Sequence, residues 1–460
     1  MLRVFLCIGT RAMIVKYWGE LLLVLGLTSL RLLHQREFRV GKCNLLFELD
    51  YLSWALILLS VWVVSLCLKR RVKIKLKNVN RGRFAFRLIS LLLRLILVFS
   101  VSDTLFFYVI FECCLIPVFL LILGWGYQPE RIQAGTYLVF YTVLGSFPLF
   151  TVILVTKIEI GSTYLYNNLH SFRGAGVFIF FVSAFLVKFP IYGVHLWLLK
   201  AHVEAPVAGS MVLAGVLLKL GGYGLLRVLS FWGERVNLLN EIVVVISIWG
   251  GVVVALSCLR QLDIKLLVAS SSVVHMRMCI GALFIFRELG VKGCLMIMIA
   301  HGLCSSGLFF LANVVYERTH RRRLFVSKGL LNLIPSLSFW WFVLLACNIA
   351  APPSLNLVRE VLLLRSLVGW DLRLLFGLAL MSFLRAAYRL FLFSLRQHGV
   401  FLMTKSGFSR TRLMELYVAT AHWIPVNVVV LYCGLFTCWS NLNKILCCGH
   451  SYAHALGSEA

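Results

Sequence analysis

The run GVFIFFVSAFLVKFPIYGVHLWLL (176–199) is apolar almost throughout, yet it carries Lys188 and a helix break at Pro190 and Gly193. An α-helix needs about 20 apolar residues to cross the hydrocarbon core of a bilayer, and this run is long enough. Proline removes a backbone donor, so the carbonyls it frees must find partners in protein or trapped water. A second run of the same kind, SLSFWWFVLLACNIAAPPSLNLVREVLLL (336–364), is interrupted at Pro352 and Pro353 and places Glu360 just beyond. Paired interruptions in the two halves of a membrane chain point to an inverted repeat whose sites lie at the breaks.

The rest of the chain fits the same solvent. Of its 460 residues 61% are hydrophobic and 14% charged, with a mean hydropathy of +0.92. Soluble domains run at about half apolar and a quarter charged. Apolar windows fall near 4–32, 49–68, 84–101, 103–124, 134–156, 174–198, 206–230, 240–258, 264–286, 291–316, 331–369, 372–395 and 415–440. That predicts an all-α polytopic bundle of about 13 helices, or 14 if the first window holds two, with two of them discontinuous. The windows are too long and too uniformly apolar for the alternating strands of a barrel.

The formal charge of +27 does not imply a nucleic-acid partner, because no hydrophilic stretch is long enough to fold as a domain that would carry such a patch. Many basic residues lie in short segments between apolar runs, as the positive-inside bias requires. With two helices in the first window, KRRVKIKLKNVNRGR (69–83) and ERTHRRRLFVSK (317–328) fall on one face, expected to be the matrix or cytoplasmic side. The fourteen cysteines, such as Cys113, Cys114 and Cys347, are mostly embedded in apolar runs without metal or cluster spacing and read as small hydrophobes. The N-terminus, MLRVFLCIGTRAMIVKYWGELLLVLG (1–26), lacks a secretory cleavage site and reads as a first membrane helix or a pair of short ones.

Ionisable groups inside the spans are the candidates for chemistry: Glu112, Lys188, Lys219 and Glu360. Each would cost about 2.5–3.5 kcal/mol at the centre of an isolated membrane helix, so the four must face the bundle interior or water. Singly, each could be a buried ion pair or a snorkelling side chain. Acids and bases recurring at mid-depth, two of them beside helix breaks, are what a proton relay requires, because protonating one site changes the field at the next. His195, His202, His275 and His301 lie in or beside apolar segments and supply the connecting imidazoles, though each alone reads equally well as a core histidine. Ser270, Ser271 and Ser272 beside His275, and Ser305 and Ser306 after His301, are expected to order water. Arg87 and Arg94 share one face of their span, as do Arg385 and Arg389; Arg359 adjoins Glu360 and is placed to pair with it.

FECCLIPVFLLILGWGYQPERIQAGTYLVFYT (111–142), KFPIYGVHLWLLKAHVEAPVAGSMVLAGVLLKLGGYG (188–224), RQLDIKLLVASSSVVHM (260–276) and IAHGLCSSGLFFLANVVYERTH (299–320) together resemble, in order, the chain 4 family of mitochondrial NADH:ubiquinone oxidoreductase. This is an antiporter-like, proton-pumping family of membrane-arm subunits of respiratory complex I, and the likeness extends over roughly residues 100–360. The resemblance implies that Glu112, Lys188, Lys219 and Glu360 are the central-axis ionisable residues and that His195, His202, His275 and His301 connect them. Three positions depart from the family pattern: Leu199 stands where proline is usual, Arg277 where an apolar residue is usual, and Arg359 where glycine precedes the glutamate.

The expected organisation is N-terminal helices over 1–101, a proton-translocating core over 102–371, and C-terminal helices with a tail over 372–460. No cofactor or metal is expected on this chain, which has no dinucleotide fingerprint or cluster ligands; NADH, FMN, iron-sulfur clusters and ubiquinone would belong to the parent complex. Expected partners are the other membrane-arm subunits and bilayer lipid, cardiolipin included, in the mitochondrial inner membrane. Two rivals remain at this point: a free-standing cation/proton antiporter subunit, and a structural membrane scaffold.

Overall fold

The computed structural model describes residues 41–44, 47–69, 81–126, 128–161, 175–232, 237–399 and 411–431. A short antiparallel hairpin, β1 (Gly41–Asn44) and β2 (Phe47–Leu49), opens the described chain and adds a small β element to an otherwise helical fold. Helices follow in the order α1 (Tyr51–Lys69), α2 (Arg81–Ser100), α3 (Thr104–Trp125), α4 (Arg131–Ile160), α5 (Ala175–Lys188), α6 (Leu196–Glu204) and α7 (Val207–Leu229). The second half contains α8 (Asn237–Leu259), α9 (Ile264–Leu283), α10 (Glu288–Thr319), α11 (Pro335–Ile349), α12 (Leu355–Val368), α13 (Leu374–Gln397) and α14 (Leu413–Leu431).

Nine of these helices are by themselves long and apolar enough to cross a membrane. α2 and the helices of the two interrupted pairs, α5/α6 and α11/α12, do not qualify singly; read as one span each, as the sequence windows expect, they bring the count among the described residues to twelve. The first expected window, 4–32, lies outside the described residues, and so does the end of 415–440. Burial grades from centre to edge: the apolar window of α10 is wholly buried, whereas that of α4 is one-third buried. Phe140, Leu144, Phe147 and Ile158 on α4, and Phe376, Phe383 and Leu390 on α13, form an exposed apolar surface. In water such a belt would drive aggregation; against lipid tails it needs no cover.

Local signals set the helix ends. Asp103 caps α3 by accepting from the Leu105 amide at 3.4 Å. The last turn of α4 closes on Gly161, whose φ of 72° is open to glycine at no steric cost. Both expected interruptions occur where proline demands them: residues 189–195 part α5 from α6, and 350–354 part α11 from α12. The second pair is the fifth crossing after the first. An odd step reverses direction, so the two broken helices run oppositely across the bundle, as an inverted repeat requires.

The connections that carry basic residues meet at one end. Lys69 donates to Tyr417 at 2.7 Å and Arg318 pairs with Glu415, both on the first turns of α14. Arg322 reaches Glu204 at 3.2 Å and Gln128 at 3.4 Å, and the Asp263 and Arg323 backbones form a bridge. The ends of α1, α3, α6, α8 and α10 therefore share this basic face with the start of α14.

Candidate functional site

The first pair forms where α3 is irregular. At Cys114 the helix slips, and Arg94 of α2 donates to the Cys113 carbonyl at 2.8 Å while Arg87 donates to that of Leu120 at 2.6 Å. Glu112 lies on the last turn before that slip, and Lys188 at the end of α5 donates to its Oε1 at 3.0 Å. The ammonium also donates to the Phe111 carbonyl at 3.0 Å. Lys188 is buried, while Glu112 Oε2 is buried without a partner. At the break beyond Lys188, Trp197 Nε1 caps the Val187 carbonyl at 3.1 Å.

Helix α7 lies against that break through its glycines. A Cβ on Gly221 would come 2.7 Å from the Phe189 amide nitrogen and 2.9 Å from the Phe185 carbonyl oxygen, so no larger residue fits without displacing backbone. One turn earlier α7 widens into a π turn over Leu213–Leu217. Such turns expose carbonyls and recur at functional sites. Here the Ala214 carbonyl accepts from Lys219, whose ammonium is fully buried and lies 3.1 Å from His301 Nδ1 on α10.

From His301 the polar line continues to α9, where the His275 ring centroid is 5.4 Å away. Arg389 of α13 contacts His275 Nε2, and Arg359 of α12 lies 3.4 Å from its Nδ1. Glu360 is held chiefly by Arg385, in two bonds of 2.8 and 3.2 Å, with Arg359 more distant at 3.6 Å. The pairing expected of Arg359 is thus the weaker one, because its guanidinium is drawn back to the Asn356 carbonyl (3.2 Å) and towards His275. Asn356, one turn before Glu360, donates to the Cys347 carbonyl at 2.6 Å and to Cys304 Sγ at 3.2 Å, tying α12 across its break to α11 and α10.

Of the eight expected residues, Lys188, His195, His202, Lys219, His275 and His301 are buried and Glu112 and Glu360 partly buried, and six of the eight fall into two groups. Glu112 and Lys188 form one; Lys219, His301, His275 and Glu360 form the other. His202 is fully buried with its ring flat on Phe309, centroids 4.7 Å apart, and neither of its nitrogens has a partner. His195 stacks on Tyr192 and contacts none of the other seven by hydrogen bond or ring stacking. The serines expected to order water turn inward on their own helices: Ser305 donates to the His301 carbonyl at 2.6 Å and Ser272 to that of Ala269 at 2.6 Å. Arg277 is buried, donates to the Gly250 carbonyl and lies over the Tyr192 ring. Leu199 packs partly buried against the core within an unbroken α6. Sequence reasoning missed the roles of Arg385, Asn356 and the π turn; the spacing of Arg385 from Glu360 carries no signal of pairing. Among the described residues no group of three or more His, Cys, Asp or Glu could hold a metal ion.

A bundle with two oppositely directed broken helices, and with buried acids and bases strung between them, defines the class of antiporter-like membrane subunits. Residues 101–385 match the family described as NADH:quinone oxidoreductase/Mrp antiporter, and residues 1–99 match the amino terminus of NADH-ubiquinone oxidoreductase chain 4. NADH-ubiquinone oxidoreductase chain 4 of Ceratitis capitata is 47% identical over 85% of this chain and 88% of its own length. That of Branchiostoma lanceolatum is 39% identical over 91% of this chain and 93% of its own. The chain belongs to the NADH-ubiquinone oxidoreductase chain 4 family. Its fold resembles a chain of respiratory complex I from Thermus thermophilus, with a TM-score of 0.82 and 23% identity, covering 96% and 97% of the two chains. A chain of the Mrp complex from Dietzia sp. DQ12-45-1b gives a TM-score of 0.79 and 15% identity, covering 96% and 94%.

Proposed function

We propose that the chain carries protons across the membrane through Glu112, Lys188, Lys219 and Glu360, with His195, His202, His275 and His301 as intermediates. As a member of the chain 4 family it is a proton-pumping membrane-arm subunit of respiratory complex I, and the other subunits of that complex are its partners. Relatives of this name align over nearly the whole chain, which disfavours a free-standing antiporter.

The observation that carries the reading is the buried line from Lys219 to His301 at 3.1 Å and on to His275, ending beside Glu360. Lys219 ammonium and His301 Nδ1 are within hydrogen-bond reach, so a proton passes from Nζ to the ring when the imidazole presents a lone pair. The ring then carries the charge towards His275, and release near Glu360 is favoured by that carboxylate. At the other end Lys188 and Glu112 are paired; a change in the charge of either alters the field on Lys219 and sets the next transfer. Moving each charge against the membrane potential requires about 2.3 kcal/mol per 100 mV.

In this reading NADH oxidation on FMN, iron-sulfur transfer and ubiquinone reduction take place in other subunits, and this chain contributes no redox group. Its membrane is the mitochondrial inner membrane, with the basic face towards the matrix, where anionic lipid such as cardiolipin meets the Lys and Arg of the connections. The test is Lys219→Met in the assembled complex. Abolished or uncoupled NADH-driven proton pumping supports the relay; normal pumping refutes it and favours a scaffold role.

A further inference from the structure

A polar cluster at the basic end of α6 lies outside the groups just described. Glu204, the last residue of α6, is 4% exposed. Its Oε1 accepts from Arg322 Nη1 at 3.2 Å, and its Oε2 is buried with no partner. Arg322 comes from the connection after α10 and also faces the exposed Gln128 at 3.4 Å. Lys265, buried at the start of α9, donates to the carbonyls of Val203 (3.4 Å) and Ala205 (3.2 Å), closing the negative end of α6. Two residues before Glu204 sits His202, with both ring nitrogens unpartnered and within electrostatic reach of Lys265 and Lys219.

Exposure falls steadily along this line: Gln128 is open, Arg322 partly covered, Glu204 nearly buried, His202 and Lys219 fully buried. Buried polar atoms without protein partners call for water or a proton, and here a carboxylate oxygen and both imidazole nitrogens lack one at positions two residues apart on α6. Water fills such sites where polar groups converge.

We propose that Glu204 is the proton-entry residue of the basic face, feeding Lys219 by way of His202. A proton leaves water at the mouth formed by Gln128 and Arg322, and an O–H bond forms at Glu204 Oε2. Neutralising the carboxylate weakens its hold on Arg322 and leaves the carboxyl as a donor. The proton then passes through bridging water, because the two side chains leave different faces of α6, to a lone pair on His202, restoring the carboxylate, and from the imidazolium onward to Lys219 once that amine has discharged to His301. Charge and protons balance at each transfer, and no co-reactant is needed.

The inference rests on the relay proposed for Lys219, so the two are tested side by side in the intact respiratory complex. Glu204→Gln keeps an acceptor for Arg322 but removes the acid; NADH-driven proton pumping should fall about 100-fold or more, the scale set by a lost acid–base group, with assembly unchanged. Glu204→Asp restores the acid and should retain most of the parental rate. If Lys219→Met pumps normally, the relay itself fails. If Lys219→Met is inactive but Glu204→Gln pumps at the parental rate, the relay stands and Glu204 is not its entry. Equal losses in the Gln and Asp variants would mark a packing role and overturn the proposal as well.

Discussion

Lys188 and Glu112 offer the cleanest quantitative test of a switching pair, because removing either charge strands the other. At 3.0 Å their attraction is about 5.5 kcal/mol for an effective dielectric of about 20. Desolvation offsets much of this, and Glu112 is one-fifth exposed against one-twentieth for Lys188, so water screens the acid more than the base. A net coupling of about 1–3 kcal/mol follows, in the upper part of the range of about 0.5–3 kcal/mol measured for neighbouring groups in one network. Glu112→Gln leaves the Lys188 ammonium with neutral partners only, the Phe111 carbonyl among them, and Lys188→Met leaves a carboxylate whose Oε2 already lacks a partner. The double variant removes both charges. Pumping rates of the four proteins, read in liposomes with a pH-sensitive dye, should therefore depart from multiplicative behaviour by roughly 5- to 150-fold. Single-variant effects that combine within about 0.5 kcal/mol would show that the two charges do not sense each other and would sink the switching role.

Arg385→Leu should impair pumping far more than Arg359→Gly, since Arg385 makes two bonds to Glu360 and Arg359 only a 3.6 Å contact; the reverse order in a pumping assay would displace Arg385 from this role. Gly221→Val should lower the melting temperature of the complex, or its assembled yield on native gels, because overpacking costs about 1–3 kcal/mol and the clash here is with Phe189 and Phe185 backbone. Asn356→Ala leaves the Cys347 carbonyl with only its 3.2 Å bond from the Ala350 amide, a loss of about 0.5–1.5 kcal/mol, and should slow pumping without dissociating the complex; an unchanged rate would mean that the break holds Glu360 without that clamp.

Much of this architecture was legible because the bilayer penalises anything that does not fit it. Apolar length located the crossings, and Pro190, Pro352 and Pro353 marked the two breaks, since no neighbouring residue restores the donor that proline lacks. Lys188 and Glu112 could be picked out singly by their cost, and the family likeness named both as residues of the central axis. Contacts made through main-chain atoms left no such trace. The Ala214 carbonyl that receives Lys219 is exposed by a π turn in LAGVL, a sequence that reads as ordinary helix. Asn356 donates to a carbonyl nine residues back across a break, and nothing in its own neighbourhood announces the partner.

The arginines show the limit most sharply. Adjacency of Arg359 to Glu360 suggested an ion pair, but successive residues on a helix point about 100° apart, so the neighbour in sequence is badly placed to hold the carboxylate. Arg385, on the next helix, approaches Glu360 with both terminal guanidinium nitrogens, and Arg359 is left to bond its own helix and approach His275. Glu360 is therefore fixed to α13, while His275 is contacted by guanidinium groups from α12 and α13 together. A shift of α13 relative to α12 would change the partners of the acid and the imidazole in one movement. That arrangement gives the distal end of the relay a mechanical connection to the helices around it, a connection that depends on helix packing rather than on any residue a sequence motif would single out.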